Sequence, residues 1–259
     1  MSAVTREESD GFWAGLRVHT QARIGLGHAG DALPTRQVLE FRGAHALARD
    51  AVHTPLDVGT LLDSLAETGL GEPVHVTSRA ATREEYVRRP DLGRLPGPLD
   101  ALRPAHADLG IVVMDGLSSR ALADHGAALV RALREEIGDR YTVAPPVLVT
   151  QGRVALGDHI GAALGVRTLL VIIGERPGLS VADSLGIYLT HQPRPGLADS
   201  ARNCISNIHP PDGLSYQAAA QTAIRLVTGA WELGESGVRL KDTGPALGAA
   251  PQGEIAAAG

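Results

Sequence analysis

The chain has 259 residues, of which 24 are basic and 29 acidic, so its formal net charge is −5. No run of basic residues is longer than Arg88-Arg89, which excludes the basic surface that general nucleic-acid binding or membrane-surface binding requires. The longest purely aliphatic stretch, Leu169 to Ile173, is far shorter than the roughly 20 residues of a membrane-spanning helix. We therefore expect a soluble, cytoplasmic protein that binds neither nucleic acid nor a membrane.

The lysine and cysteine contents exclude several cofactor chemistries. Lys241 is the only lysine and lies near the C-terminus, so we expect neither a Schiff base nor a phosphate loop that depends on lysine. Cys204 is the only cysteine, and one thiol cannot form an internal disulfide, a cysteine-based zinc site or an iron–sulfur cluster. The chain also lacks the Gly-x-Ser-x-Gly and His-Glu-x-x-His motifs, and we assign neither a catalytic residue nor a metal ligand to it.

Residues 1–104 are predicted to be a mainly helical N-terminal part that ends in an irregular arm. One helix is predicted over Arg6 to Gly15 and a second over Thr35 to Val52, and the arm follows from the glycines and prolines between Gly69 and Ala105. The second helix carries a stripe at helical spacing, formed by Val38, Phe41, His45, Ala48 and Val52. We expect this stripe to belong to a subunit interface; the alternative is that it packs on the rest of the same chain.

From Ala107 onward, short apolar runs alternate with amphipathic segments. Strands are predicted at Leu109 to Met114, Pro146 to Thr150, Thr168 to Ile173 and Ile187 to Thr190. Helices are predicted at about Ser119 to Ile137, Asp158 to Leu164 and Ser215 to Trp231. This alternation predicts an α/β domain over residues 105–242, with a mostly parallel sheet and helices on both faces. Residues 243–259 are mainly alanine, glycine and proline, and we expect a disordered tail there.

Three loops of this domain are candidates for ligand binding. They cover Gln151 to Asp158, Ile173 to Gly178, and Ala201 to Pro210. Open α/β sheets bind ligands at the carboxyl ends of their strands, so we expect the loops to bring Glu175 and Cys204 to one mouth. The alternative is structural: Glu175 would pair with a neighbouring arginine, and Cys204 would be buried as a small apolar residue.

Several phrases in these loops resemble the light, or small, subunit of ethanolamine ammonia-lyase. The phrases are Ile172 to Leu179, Asp183 to Leu189, Arg202 to Ile208, and Ala22 to Gly30 together with the helix end from Ala44 to His53. The resemblance runs from about Phe12 to Leu240. A seven-residue string such as Arg-Asn-Cys-Ile-Ser-Asn-Ile is much more specific than a short glycine motif, and the phrases occur in family order.

The resemblance implies a Rossmann-like domain over residues 105–242, preceded by an added N-terminal part. It further implies a large-subunit partner, a barrel that holds ethanolamine, with adenosylcobalamin between the two chains. Carried over by motif, the cofactor contacts fall on Val154, Glu175 and Cys204. The chain has no Asp-x-His-x-x-Gly motif, and the family implies the base-on cofactor, in which dimethylbenzimidazole is the lower ligand of cobalt.

The implied function is that of a lyase subunit that is inactive alone. The heteromeric enzyme deaminates ethanolamine to acetaldehyde and ammonia by a radical mechanism, and this chain clasps the cofactor against the large subunit. Packing inside a bacterial microcompartment is left open. Two alternatives also remain: an autonomous Rossmann-like nucleotide-binding enzyme, and an interaction module without a ligand. The stretch Gly25 to Gly30 matches Gly-x-Gly-x-x-Gly, but no strand precedes it, so we do not expect it to bind a dinucleotide.

Overall fold

A computed structural model describes residues 6–244, and it describes side chains from residue 11 onward. The helices in this part of the chain are α1 Arg6–Arg17, α2 Thr35–His53, α3 Val58–Ala66, α4 Arg83–Arg88, α5 Pro90–Gly93, α6 Ser119–Ile137, α7 Leu156–Leu164 and α8 Tyr216–Leu233. The strands are β1 Val74–Thr77, β2 Leu109–Met114, β3 Val147–Thr150, β4 Thr168–Gly174, β5 Leu185–His191 and β6 Asn203–Ile208. No helix between residues 6 and 244 has the length and apolarity needed to cross a membrane.

The six strands form one sheet in the order β1-β3-β2-β4-β5-β6. Strands β1, β3, β2 and β4 are parallel to one another, whereas β5 is antiparallel to β4 and β6 is antiparallel to β5. The prediction of an α/β fold is confirmed, but the prediction of a mostly parallel sheet is wrong, because the sheet is mixed. The physical reason is the connection from β4 to β5, residues 175–184, which contains no helix that could carry the chain back for a parallel strand.

One face of the sheet, here called the covered face, packs against α3, α6 and α8. Buried side chains of α6, such as Leu129 and Leu133, belong to the same apolar cluster as Ile111 on β2 and Ile172 on β4. Helix α6 begins where the Ser118 hydroxyl accepts a hydrogen bond from a main-chain amide of its first turn. The covered face is closed by apolar packing from β3 to β6.

The other face, here called the open face, is covered only in part. Helix α7 packs on it through an apolar cluster that includes Ile160 of the helix and Val171 of β4. At β6 this cover ends, because Cys204 and Ser206 are exposed, whereas Ile205 points to the covered face and is buried. The sheet therefore has an uncovered strip along its antiparallel strands.

The segment from residue 69 to 105 was predicted to be an irregular arm because of its glycines and prolines. The structure has an edge strand, β1, in this segment. It also contains α4 and α5. A capping signal for α4 was present in the sequence: the Thr82 hydroxyl accepts a hydrogen bond from the Glu85 amide, and the Glu85 carboxylate accepts one from the Ala81 amide. The division into residues 1–104 and 105–242 stays a prediction, and residues 245–259 of the predicted tail lie outside the described residues.

Helix α2 lies on the outside of the molecule. Ala51 is the only buried residue of this helix, and the helix contacts α6. Its exposed apolar side chains include Leu39, Phe41 and Leu47, with Phe41 46% exposed. Of the predicted stripe, Val52 is half-buried against the protein and Phe41 faces solvent. Helix α2 thus presents an apolar outer surface that nothing within the described chain covers.

Candidate cofactor site

The turn Gly152-Arg153-Val154 follows β3 at the carboxyl edge of the sheet. It is fixed at two points, because the Arg153 amide donates to the Gly93 carbonyl at 2.8 Å and the Tyr86 hydroxyl donates to the Gly152 carbonyl at 3.0 Å. A side chain at Gly152 would come within 2.9 Å of Met114, so the turn needs glycine there. Val154 is held half-buried at the surface of this edge.

Glu175 follows β4 directly and is held by the segments on either side of it. Its Oε2 atom accepts hydrogen bonds from the Ser184 hydroxyl at 2.7 Å and from the Asn207 amide at 3.2 Å. Its Oε1 atom lies over Gly186, 3.0 Å from the position that a Cβ would occupy there. Within the described residues Oε1 accepts no hydrogen bond, and Glu175 forms no ion pair with Arg176. The hydrogen bonds to Oε2 thus orient the carboxylate, and Oε1 remains available as a hydrogen-bond acceptor.

Val154 and Glu175 line the same cavity, which has a volume of about 430 Å³. The cavity is lined by Tyr86, Gly116, Leu117, Arg153, Val154, Ile173, Gly174, Glu175, Arg176 and Tyr188. Gly116 has φ +54°, and a Cβ there would lie 2.2 Å from the Gly174 carbonyl oxygen, so only glycine allows this close approach of the turns after β2 and β4. Two of the three candidate loops, those that carry Val154 and Glu175, therefore meet at one cavity.

Cys204 lies outside this cavity, and its predicted place in a loop is wrong. It is on β6, directly opposite Tyr188 of β5 on the open face. The strand was missed because β6 has no run of apolar residues: only Ile205 and Ile208 of the strand are buried. The Tyr188 side chain lines the cavity, and Tyr188 lies directly opposite Cys204 on the neighbouring strand, so Cys204 is beside one residue of the cavity wall. Burial raises the pKa of the Cys204 thiol, although the thiol remains partly accessible to solvent.

Sequence analysis assigned no role to a cluster of four residues in and behind the cavity wall, which we call the Arg83 cluster: Arg83, Tyr86, Asp115 and Arg153. The Tyr86 ring contacts both guanidinium groups, with the Cζ atoms of Arg83 and Arg153 at 4.8 Å and 4.5 Å from the ring centroid. Asp115 is buried and ion-pairs with Arg83 at 3.2 Å; burial raises the pKa of its carboxyl, and the guanidinium opposes that shift. Only the position of Asp115, directly after a buried strand, could have indicated the cluster.

No group of three or more histidine, cysteine, aspartate or glutamate side chains that could hold a metal ion occurs among the described residues. None of the described residues that line the cavity is a histidine. The donors at this edge are instead guanidinium and main-chain groups, and the acceptors are a carboxylate and carbonyl groups. Such a set binds the polar groups of an organic ligand.

The sequence matches the family model of the ethanolamine ammonia-lyase light chain over residues 10–241. The chain belongs to this family. Small subunits of ethanolamine ammonia-lyase from three bacteria are similar to it over most of both chains. The one from Rhodococcus erythropolis is 59% identical over 244 residues, which cover 94% of this chain and 95% of the relative. Those from Ralstonia nicotianae and Azotobacter vinelandii are 47% and 49% identical over 243 and 239 residues, each covering 89% of this chain and 88% of the relative.

Membership of the ethanolamine ammonia-lyase light chain family confirms the resemblance derived from the loop phrases. It makes the chain a subunit of a heteromeric lyase and argues against an autonomous nucleotide-binding enzyme. The matched range contains both the cavity and Cys204. The matched range also contains α2, so the exposed outer helix lies within the part of the chain that the family model covers.

Proposed function

We propose that this chain holds one side of adenosylcobalamin at the open face and clasps it against the large subunit of ethanolamine ammonia-lyase. The observation that carries the proposal is the carboxylate of Glu175, which is oriented through Oε2 and presents Oε1 without a partner among the described residues. Glu175 lines a cavity at the end of an uncovered strip of sheet. An extended, partly flat ligand can lie on such a surface.

The residues present fit the polar edge of a corrin. The corrin ring carries peripheral amide groups, each of which has a carbonyl acceptor and N–H donors. Oε1 of Glu175 is an acceptor, and the buried Nε of Arg153 is a donor without a partner among the described residues. Val154 adds an apolar contact, and Cys204 offers a small side chain that permits close approach on β6. A buried unpaired donor is costly, so a ligand carbonyl that pairs with it would bind favourably.

Adenosylcobalamin, when bound, supplies the deoxyadenosyl radical that removes a hydrogen atom from ethanolamine. This chain holds the cofactor, orients it and excludes water from one side. Val154, Glu175 and Cys204 are proposed as its cofactor contacts. The substrate contacts are assigned to the large subunit, a barrel in this proposal, so no residue of this chain acts directly on ethanolamine.

The cofactor is proposed to bind in the base-on form. The absence of a histidine among the described residues that line the cavity agrees with this form. In that form no histidine of this chain would be a ligand of cobalt. Labelling the histidines of the complex with ¹⁵N should leave the nitrogen splitting of the cob(II)alamin EPR signal unchanged, and a changed splitting would overturn the base-on form.

The test of the proposal is co-elution. The purified chain, the large subunit and their mixture are each incubated with adenosylcobalamin and passed through a gel-filtration column. We expect the cobalamin absorbance to travel with the mixture and not with this chain alone. Tight cofactor binding or ethanolamine turnover by the isolated chain would contradict the proposal, and nucleotide binding by it would favour the autonomous enzyme.

A further inference from the structure

Arg83 joins three parts of the chain that are distant in sequence. Its Nε donates to the carbonyl of Val52 in the last turn of α2 at 2.6 Å, and its Nη1 donates to the carbonyl of Gly116 at 2.8 Å. Nη1 also contacts the Asp115 carboxylate at 3.2 Å. The side chain is 15% exposed, so these bonds are largely shielded from water. One guanidinium thus connects the outer helix α2 with the turn after β2.

The same cluster continues to the turn after β3. Asp115 accepts a hydrogen bond from the Gly152 amide at 3.2 Å, and Tyr86 donates to the Gly152 carbonyl at 3.0 Å. Both main-chain groups of Gly152 are therefore fixed by residues that Arg83 contacts. Val154, two residues further, lines the cavity.

We propose that Arg83 is a positioning residue for cofactor binding: by joining the end of α2 to the turns after β2 and β3, it sets the position of Gly152-Arg153-Val154. This inference rests on the proposed function of the cavity. The planar fork of arginine reaches carbonyl and carboxylate acceptors that lie in different directions, whereas lysine has a single nitrogen at the end of a flexible chain. Lysine would leave buried acceptors unpaired and release the turn.

The experiment compares Arg83→Lys with Arg88→Lys in the assembled complex with the large subunit. Arg88 lies on the same helix α4, is 76% exposed and pairs with the exposed Glu84. We expect Arg83→Lys to weaken the apparent affinity for adenosylcobalamin about tenfold, with kcat at saturating cofactor changed less than about twofold. Arg88→Lys should behave as the unaltered complex. This split between affinity and kcat is not expected from a general loss of folding, which would reduce the amount of active complex.

A second variant keeps the inference testable if the Arg83→Lys complex does not assemble. Tyr86→Phe removes only the hydroxyl that donates to Gly152 and keeps the ring between the two guanidinium groups. It should weaken cofactor affinity about three- to tenfold in the same assay. Unchanged affinity in every variant that assembles overturns the inference. If the unaltered complex binds adenosylcobalamin and Glu175→Ala weakens that binding, the proposed function stands even when the inference fails.

Discussion

The two faces of the sheet differ in what their side chains do. On the covered face, side chains from α6 and α8 meet those of the strands in one continuous apolar cluster. On the open face, α7 covers the parallel strands, but the strip at β5 and β6 carries Tyr188, Cys204 and Ser206 without a helix over them. The difference teaches that the covered face stabilises the fold, whereas the strip at β5 and β6 contributes little to the apolar core and is the surface to which we assign the cofactor in our proposal.

The largest effect should come from the covered face. Leu133 of α6 is fully buried in its cluster, and Leu133→Ala should lower the free energy of unfolding by about 2–5 kcal/mol through lost burial and the cavity left behind. Urea denaturation of the purified chain measures this effect. Cofactor affinity of the folded complex should stay the same. A loss of cofactor affinity with unchanged stability would break the division between the two faces.

The second largest effect should be on binding of the large subunit, through helix α2 and not through either face of the sheet. Phe41 is exposed on α2, and Phe41→Asp should weaken binding of the large subunit about tenfold or more, because interface aromatic residues often contribute more than 1 kcal/mol. Gln221→Asp, at an exposed position of α8, is the control and should change little. Titration of labelled large subunit measures both. If instead Phe41→Asp abolishes cooperative melting of the isolated chain, the helix packs within its own chain.

On the open face, the size of residue 204 should matter more than its chemistry. Cys204→Leu should weaken adenosylcobalamin binding by the complex severalfold, because the larger side chain stands on the uncovered strip next to Tyr188. Cys204→Ser keeps the size and should retain most of the turnover. A serine variant that binds the cofactor but is completely inactive would show that the thiol takes part in the reaction.

The smallest effect is a pH dependence of that same thiol. Burial raises the pKa of Cys204 above its ordinary value of 9.0, so the thiol stays protonated at neutral pH. Since the thiolate is the reactive form, the rate of alkylation by iodoacetamide should rise at a higher pH than for a model thiol. A midpoint below pH 9 would contradict the described surroundings of Cys204.

The sequence was informative where a feature is local. The bounds of β2 and α6 follow from a continuous apolar run and a serine cap, and the structure has both as predicted. Strand β1 was missed because its four residues, Val-His-Val-Thr, have only one buried side chain and pair with β3 far along the chain. The direction of β5 depends on tertiary pairing with β4, which no periodicity shows.

The site divides in the same way. Glu175 and its turn are recognisable because a lone acid follows a buried strand, and the structure brings this turn to the same cavity as Val154. Of the Arg83 cluster only Asp115 had a local signal, because Arg83, Tyr86, Asp115 and Arg153 come together only through the sheet and the packing of α4. Local patterns identify strand ends, and tertiary contacts decide which of them meet.

The most direct test of the central claim is the affinity of the assembled complex for adenosylcobalamin when Glu175 is replaced by alanine. Loss of the oriented carboxylate should weaken binding about ten- to a hundredfold, which corresponds to roughly 1–3 kcal/mol. Glu67→Ala is the control, since Glu67 is an exposed acid at the end of α3 beside the covered face and should leave the affinity unchanged. Unchanged affinity of the Glu175→Ala complex, with assembly intact, would contradict the claim that the open face binds the cofactor through this residue.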